Sequence, residues 1–429
     1  NISQLLQRSA QVFGDRPAVL AGAQLLHDYR QLTARVAALA GHLRGPCGVR
    51  PGERVAIFSA NCPEYLEALH AIHWAGAISV PVNYKLHARE LAYVLEDSGA
   101  RFQLNANAPR PVTELRLGMQ LEAAGSIVSS ESAGTATGIV AQSAAVGPVA
   151  SVDPARGRMT LLSLNVQVDQ NTIFDGLSSL AALTAGTRVE VFGLPQAAPA
   201  TLLATRIIRL PADSSAPVEL LGNAANLTST QFSLQGIQVA AGSAQVSIGG
   251  VLPSPAPPLV TVATNSRVRA IGSFDAATNT LTATQIIGGL NPVRTDNALL
   301  VLDGVVQAVT SAARFRLNDT EVDASAAGGG GATAGARVQV RGRKLAGVLV
   351  ASEYRQIGAG ERIAYSVQGE ISDFASVAAF RVRGELVSAN TAIFSGGSAS
   401  DLANGKRVRV RAVAGAGQLE ATQITFVTP

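Results

Sequence analysis

The feature that most constrains this chain is a short alternating pattern that recurs along three quarters of its length. Its clearest copy is Gly405–Ile424, GKRVRVRAVAGAGQLEATQI. Alternate residues of a β-strand point to opposite faces. Val408 and Val410 therefore face one way, and Arg407, Arg409 and Arg411 the other. A glycine-rich turn follows, and then a returning strand through Leu419, Ala421, Thr422 and Ile424. The same hairpin reads from GARVQVRG (335–342) with VLVASE (348–353), NSRVRAIG (265–272) with LTATQI (281–286), and GTRVEVFG (186–193) with LLATRI (202–207). A weaker copy pairs GMQLEAAG (118–125) with TATGI (135–139). A period of roughly 70 residues signals an array of small domains.

Four fuller units are expected at 145–210, 217–288, 298–357 and 364–427, after a seam and half unit at 105–144. Each opens on a strand around a glycine, read at 146–152, 232–239, 301–309 and 365–374. Five or six short strands per unit predict a small closed antiparallel barrel, OB-like in size. Closure also removes the sticky edges that such Val-rich strands would expose. SPAPP (254–258) and AAGGGGATAG (326–335) read as insertions within units. The fold class is thus mainly β, tandem small barrels preceded by an incomplete α/β fragment at 1–104.

Side-chain chemistry is unevenly spread. All five histidines, both cysteines and Trp74 precede residue 105, so thiol, imidazole and zinc chemistry are excluded beyond it. Cys47 and Cys62 read as small apolar residues rather than a redox pair. His70 and His73 lie three apart on one expected helix, but a two-histidine pair without a third ligand reads as packing rather than as a metal site. The net charge of +4 is small for 429 residues and exerts no strong pull toward polyanions or membranes. No apolar run reaches the roughly 18–20 residues of a membrane span, and residues 1–25 lack a signal-peptide pattern.

In the first hundred residues, Leu32, Val36, Leu39 and Leu43 predict a helix over 29–44. VAIFS (55–59) predicts a buried strand, and Pro63 with Glu64 and Glu67 starts a helix running to about Trp74, with Leu66, Leu69 and Ile72 inward. A strand at 77–82 and a helix at 88–97 complete a βαβ crossover and hence a parallel sheet. Val49–Arg101, with HDYRQLTARVAALAGHLR before it, resembles the N-terminal part of the adenylate-forming acyl-CoA synthetases over residues 3–104.

That resemblance implies a phosphate loop ending in Pro-Lys-Gly, an aromatic-Gly-x-Thr-Glu segment, a ribose-binding Asp and a late catalytic Lys. Only SAGTATG (132–138) resembles the loop, and Ile139-Val140-Ala141 stands in place of its basic end. The other motifs are absent, so no catalytic, cofactor or metal residues are assigned. At 102–112 two interrupted domains meet, the signature of a fusion or composite chain.

With NTIFDG (171–176), NTAIFSGG (390–397) and the hairpin, residues 112–429 resemble the bacterial tandem-repeat family called domain of unknown function 5666. The resemblance implies an envelope or extracellular protein without established catalytic residues. The resulting expectation is a non-enzymatic structural or binding protein, without cofactor, acting on an unidentified ligand or by self-association. The alternative is an ATP-dependent, AMP-forming carboxylate or fatty acid ligase of the cytoplasm, represented by its N-terminal fragment. A second alternative is polyanion binding on Arg337, Arg341, Arg343, Arg407, Arg409 and Arg411. Nucleic acid is not the expected partner, because only Tyr365, Phe380 and Phe394 stand near as stacking groups.

Overall fold

The computed structural model describes the chain except residues 22–23, 46–48, 60–62, 84–87, 101, 105–113, 128–133, 214–215, 243, 249–250, 255–261, 263, 289–296, 319, 329–330 and 428–429. It divides into two units, Asn1–Pro109 with Leu252–Pro255, and Arg110–Val251 with Ala256–Pro429.

The first unit runs α1 (Ser3–Phe13), β1 (Pro17–Ala21), β2 (Gln24–Asp28), α2 (Tyr29–Arg44), β3 (Arg54–Ser59), α3 (Pro63–Trp74), β4 (Ile78–Asn83), α4 (Ala88–Ser98) and β5 (Phe102–Leu104). Asp28 starts α2 through a reciprocal capping box. The Gln31 N–H donates to Asp28 Oδ1 at 2.7 Å, and the Asp28 N–H donates to Gln31 Oε1 at 3.1 Å. β3 lies between β4 and β5, parallel to both, with Val55 opposite Ser79 and Phe102. Val36, Leu43, Val55, Ile57, Ala71 and Ile72 fill the core against it. One expected inward residue is corrected. Leu66 is exposed, because the buried arc of α3 passes through Glu67, Ala68, Ala71 and Ile72 and Leu66 lies off it. Buried Glu67 is held by Arg35 Nε at 2.6 Å and His27 Nε2 at 3.3 Å.

The second unit begins with an antiparallel hairpin, β6 (Leu121–Ile127) and β7 (Gly134–Ala141). The first barrel follows as β8 (Ala145–Asp153), β9 (Arg158–Leu161), β10 (Leu164–Gln167), β11 (Ile173–Asp175), β12 (Arg188–Pro195) and β13 (Thr201–Arg209). The second comprises β14 (Val218–Asn223), β15 (Gln231–Leu234), β16 (Ile237–Ala240), β17 (Gln245–Ile248), β19 (Arg267–Asp275) and β20 (Thr280–Gly288), with the short β18 (Val251–Ser254) between β17 and β19 in sequence and falling almost wholly in the first unit. The third is β21 (Leu299–Ser311), β22 (Arg314–Leu317), β23 (Thr320–Asp323), β24 (Arg337–Leu345) and β25 (Val348–Gln356). The fourth is β26 (Tyr365–Ser376), β27 (Ala379–Val382), β28 (Glu385–Ser388), β29 (Ile393–Ser395), β30 (Arg407–Ala414) and β31 (Leu419–Phe426).

In the third barrel the strand order is β21-β22-β23-β25-β24, closing on itself, with β23 and β25 parallel. Barrels one and four repeat that circuit, with β10 parallel to β13 and β28 parallel to β31. The second residue of the second strand is the large plug of each core: Met159, Phe232, Phe315 and Phe380 are all buried. Each such side chain contributes roughly 1.5–3 kcal/mol of burial free energy.

The recurrent hairpin carries a recurrent bulge. Phe192 faces Arg206 while Gly193 faces Ala204, which leaves Thr205 unpaired. The same slip leaves out Thr284, Ser352, Thr422 and, in the opening hairpin, Thr137. In barrels two to four the bulged hydroxyl donates across the ladder, to Ile271 O (3.1 Å), Arg341 O (3.2 Å) and Arg411 O (3.1 Å). In the first three barrels the residue just after the slip on the first hairpin strand is a glycine (Gly193, Gly272, Gly342), while barrel four has Ala412 there. A Cβ at Gly272 would lie 2.0 Å from Thr282 O, and one at Gly342 2.1 Å from Val350 O.

One assigned opening strand is also corrected. In the second barrel the strand pairing with the hairpin is β14, around Gly222 opposite Val268, and not 232–239. Gly236 instead sits with Gln235 in the turn between β15 and β16, both at positive φ (82° and 49°), the geometry of a type I′ hairpin. Barrels one and two are fused, since β8 and β14 pair through Val146–Glu219 and Ala145–Leu220. One apolar core runs through both.

Candidate functional site

The most concentrated buried chemistry of the second unit gathers around Arg206, on β13. It is the largest fully buried side chain among the described residues, with 1% relative exposure. The other hairpins place Gln285, Glu353 and Gln423 at this register, next to the bulge. Arg206 Nη1 donates to Leu117 O at 2.9 Å and to Glu385 Oε1 and Oε2 at 3.2 and 3.1 Å. Nη2 pairs with Asp175. Glu385, itself buried at the start of β28, also accepts the Leu117 N–H at 2.7 Å. Arg206 thus ties β11 and β13 of barrel one to β28 of barrel four, through the backbone just before β6.

A second tie involves Asn171 of the NTIFDG run. Its Nδ2 donates to Glu361 O at 2.9 Å and its Oδ1 accepts from Ile363 N at 2.7 Å. Its carbonyl accepts from Tyr365 Oη at 3.0 Å. Burial pushes the Tyr365 phenol up to about 12.

Beside Arg206 opens a cleft of about 360 Å³, lined by Asp175, Ser178, Arg206, Arg381, Glu385 and Gln418 over apolar walls such as Phe174 and Leu419. The Nε of Arg206 is buried without a partner. Otherwise its charge is met by two carboxylates and a carbonyl, an arrangement that rigidifies a junction. No cluster of three or more His, Cys, Asp or Glu suited to a metal occurs among the described residues.

The arginines proposed from the sequence fall into two groups. Arg337 is committed to Asp303 by two hydrogen bonds of 2.9 and 2.7 Å. Arg341 pairs with Glu353 at 3.3 Å, and Arg343 donates to Asn297 O at 2.8 Å. Arg407, Arg409 and Arg411 stand exposed along β30, between buried Val408, Val410 and Ala412. Arg409 donates to Gln368 Oε1 at 3.0 Å. Among the described residues no carboxylate lies within ion-pair distance of these three.

Of the loop candidate, Ser132 and Ala133 lie outside the described residues. Gly134–Gly138 form part of β7 in ladder with β6, so they make no open phosphate cradle. Cys47 and Cys62 also lie outside the described residues. His70 is lowered by burial and by neighbouring His73, and His73 Nε2 meets Ser79 Oγ at 3.0 Å.

Sequence reasoning passed over Arg206, Asp175, Glu385 and Asn171. One signal was available: arginine replaces the glutamine of ATQI only in the ATRI copy. Nothing in the sequence paired it with Glu385, which is 179 positions away.

A family model described as AMP-binding enzyme matches residues 6–160, and one described as domain of unknown function (DUF5666) matches 146–208 and 368–425. The N-terminal part of the chain is therefore similar to AMP-binding enzymes, and two later stretches are similar to DUF5666. Residues 146–160 fall in both matches, and the fold builds them into β8 and β9 of barrel one. Among curated relatives, a feruloyl-CoA synthase of Amycolatopsis sp is 53% identical over 72 residues, 17% of this chain and 14% of the relative. A long-chain-fatty-acid–CoA ligase of Salmonella typhimurium is 35% identical over 100 residues, 23% of this chain and 18% of the relative. The chain thus spans less than a fifth of the length of either. Among solved structures, O-succinylbenzoate coenzyme A synthetase from Bacillus subtilis, in complex with ATP and magnesium ion, is 32% identical, with 24% of this chain and 27% of that one covered and a TM-score of 0.23. No helix among the described residues is long and apolar enough to cross a membrane.

Proposed function

We propose that residues 1–104 are the N-terminal segment of an ATP-dependent carboxylate–CoA ligase, and that the barrels are a binding or structural array attached to it. The observation that carries the ligase reading is the 53% identity over 72 residues to a feruloyl-CoA synthase. The relatives' names span ferulate, fatty acids and 2-succinylbenzoate, so the class of substrate assigned is a carboxylic acid, without a particular one. The segment supplies architecture and not the adenylating residues, since the phosphate loop, ribose-binding acid and catalytic lysine have no counterparts in this chain. The barrel array is assigned the divisions 145–210, 217–288, 298–357 and 364–427, and its ties through Arg206 and Asn171 suit a rigid scaffold. A scaffold working with the ligase segment would be cytoplasmic, and one working alone would suit the envelope.

The test is carboxylate-dependent ATP–pyrophosphate exchange. Two proteins are compared: the 429-residue chain, and a chimera in which residues 1–104 replace the matching segment of a feruloyl-CoA synthase. The chimera should exchange with ferulate and the 429-residue chain should not. A folded chimera that fails to exchange, where the parent enzyme succeeds, overturns the ligase reading.

A further inference from the structure

The hairpin β6–β7 is built like the closing hairpin of a barrel, yet among the described residues no opening strand pairs with it. Its register superposes on β12–β13 residue for residue. Ala124 faces Gly138 and Gly125 faces Ala136, with Thr137 bulged, as Phe192 faces Arg206 and Gly193 faces Ala204 around Thr205. In this register Leu121, Glu122 and Ala123 correspond to Val189, Glu190 and Val191.

Each complete copy shows what such a hairpin pairs with. The opening strand docks antiparallel on the first hairpin strand, with its glycine opposite the first valine: Gly147–Val189, Gly222–Val268, Gly304–Val338 and Gly369–Val408. The third strand docks parallel on the second hairpin strand. Among the described residues β6 and β7 form a sheet of only two strands. Leu121 is 48% exposed and Val140 38%, whereas the valines equivalent to Leu121 are buried. An isolated hairpin is marginal in water, and its free edges are templates for strand addition.

We propose that β6–β7 is a strand acceptor whose occupant is the opening half of a DUF5666-type repeat, supplied by another polypeptide. That occupant has a glycine-centred strand, a short hairpin with a large apolar plug at its second position, and a third strand that docks parallel. Binding is by main-chain hydrogen bonds along both edges, with alternate apolar side chains closing a fifth core. In barrel one the Val191 carbonyl accepts from Ala144 N at 2.7 Å, so the main chain at this position faces the opening strand. Ala123 is its counterpart and presents the outward N–H of the acceptor.

The probe is a recombinant segment covering residues 362–404, the opening half of barrel four, added to the full 429-residue chain. Hydrogen exchange is followed peptide by peptide. Exchange across 121–127 and 134–141 should slow by about tenfold or more, with one probe bound per chain by native mass spectrometry. The hairpins at 267–288, 337–356 and 407–426 should stay unchanged and report that the barrels are folded. Ala123→Pro, which removes an edge N–H, should abolish the protection. The proposal is overturned by unchanged exchange at 121–141, by protection that survives Ala123→Pro, or by concentration-dependent protection of the chain alone, which would make a second copy the occupant.

Discussion

Truncating Glu385 should cost far more than removing it together with Arg206. In Glu385→Leu, the Leu117 N–H and two of the hydrogen bonds from Arg206 Nη1 lose their acceptor inside a site where both side chains are 5% exposed or less. Breaking a buried pair by removing one partner costs about 3–5 kcal/mol. Asp175 and the Leu117 carbonyl still hold the guanidinium, which puts the expected loss toward the lower figure. At about 1.4 kcal/mol per factor of ten, that is a rise in exchange of roughly two powers of ten. Arg206→Met alone strands Glu385 and should cost a similar amount. The double variant, Arg206→Met with Glu385→Leu, replaces the pair by apolar groups of similar length and should recover most of the loss.

Native-state hydrogen exchange of β13 and β28 is the suitable assay. The single Trp74 lies in the first unit, so tryptophan fluorescence would not report this junction. A double variant whose loss equals the sum of the two singles would refute the reasoning, because it would mean that the two side chains act independently.

Three further outcomes are expected. Gly342→Ala should destabilise the third barrel by about 1–3 kcal/mol, because its Cβ would come within 2.1 Å of Val350 O; Gly347→Ala, in open space but at φ 86°, should cost less, and thermal unfolding of both checks the order. The Tyr365 phenol, raised by burial to about 12, favours the fold in its neutral form, so its contribution is complete below pH 10 and lost between about 10 and 12; ultraviolet titration at 295 nm of wild type against Tyr365→Phe should remove one late-titrating phenol. If the exposed arginines of β30 bind polyanions, heparin affinity should fall steeply with salt and the slope should flatten in the triple variant of Arg407, Arg409 and Arg411 to Gln; a slope already flat in wild type ends that reading.

The periodic parts of the fold were legible and the long-range ones were not. Helix 29–44 and the helix from Pro63 to Trp74 come directly from apolar spacing and start signals, and the structure has them at those bounds. Alternation in RVRVRAVA likewise gives its buried and exposed faces. The opening strand of barrel two was misplaced because Gly222 and Gly236 both sit within apolar alternation. Only pairing to Val268 distinguishes a ladder glycine from a turn glycine. The Arg206 site was invisible for a related reason. Its partners lie on three separate stretches, and charge alone does not say which carboxylate an arginine meets. Leu66 was misjudged because a nearby buried acid, Glu67, took the inward position that hydrophobicity assigns to an aliphatic residue.

The pairing of β8 with β14 gives the repeats a property that their period hides. Cutting the chain between residues 210 and 217 would respect the sequence repeat, yet it would split a continuous sheet and open the shared core on both sides. The length that recurs and the length that unfolds are therefore different. Barrels one and two should melt, exchange and survive proteolysis as one body of about two repeats. Transplanting either alone would create a new sticky edge where the other had been.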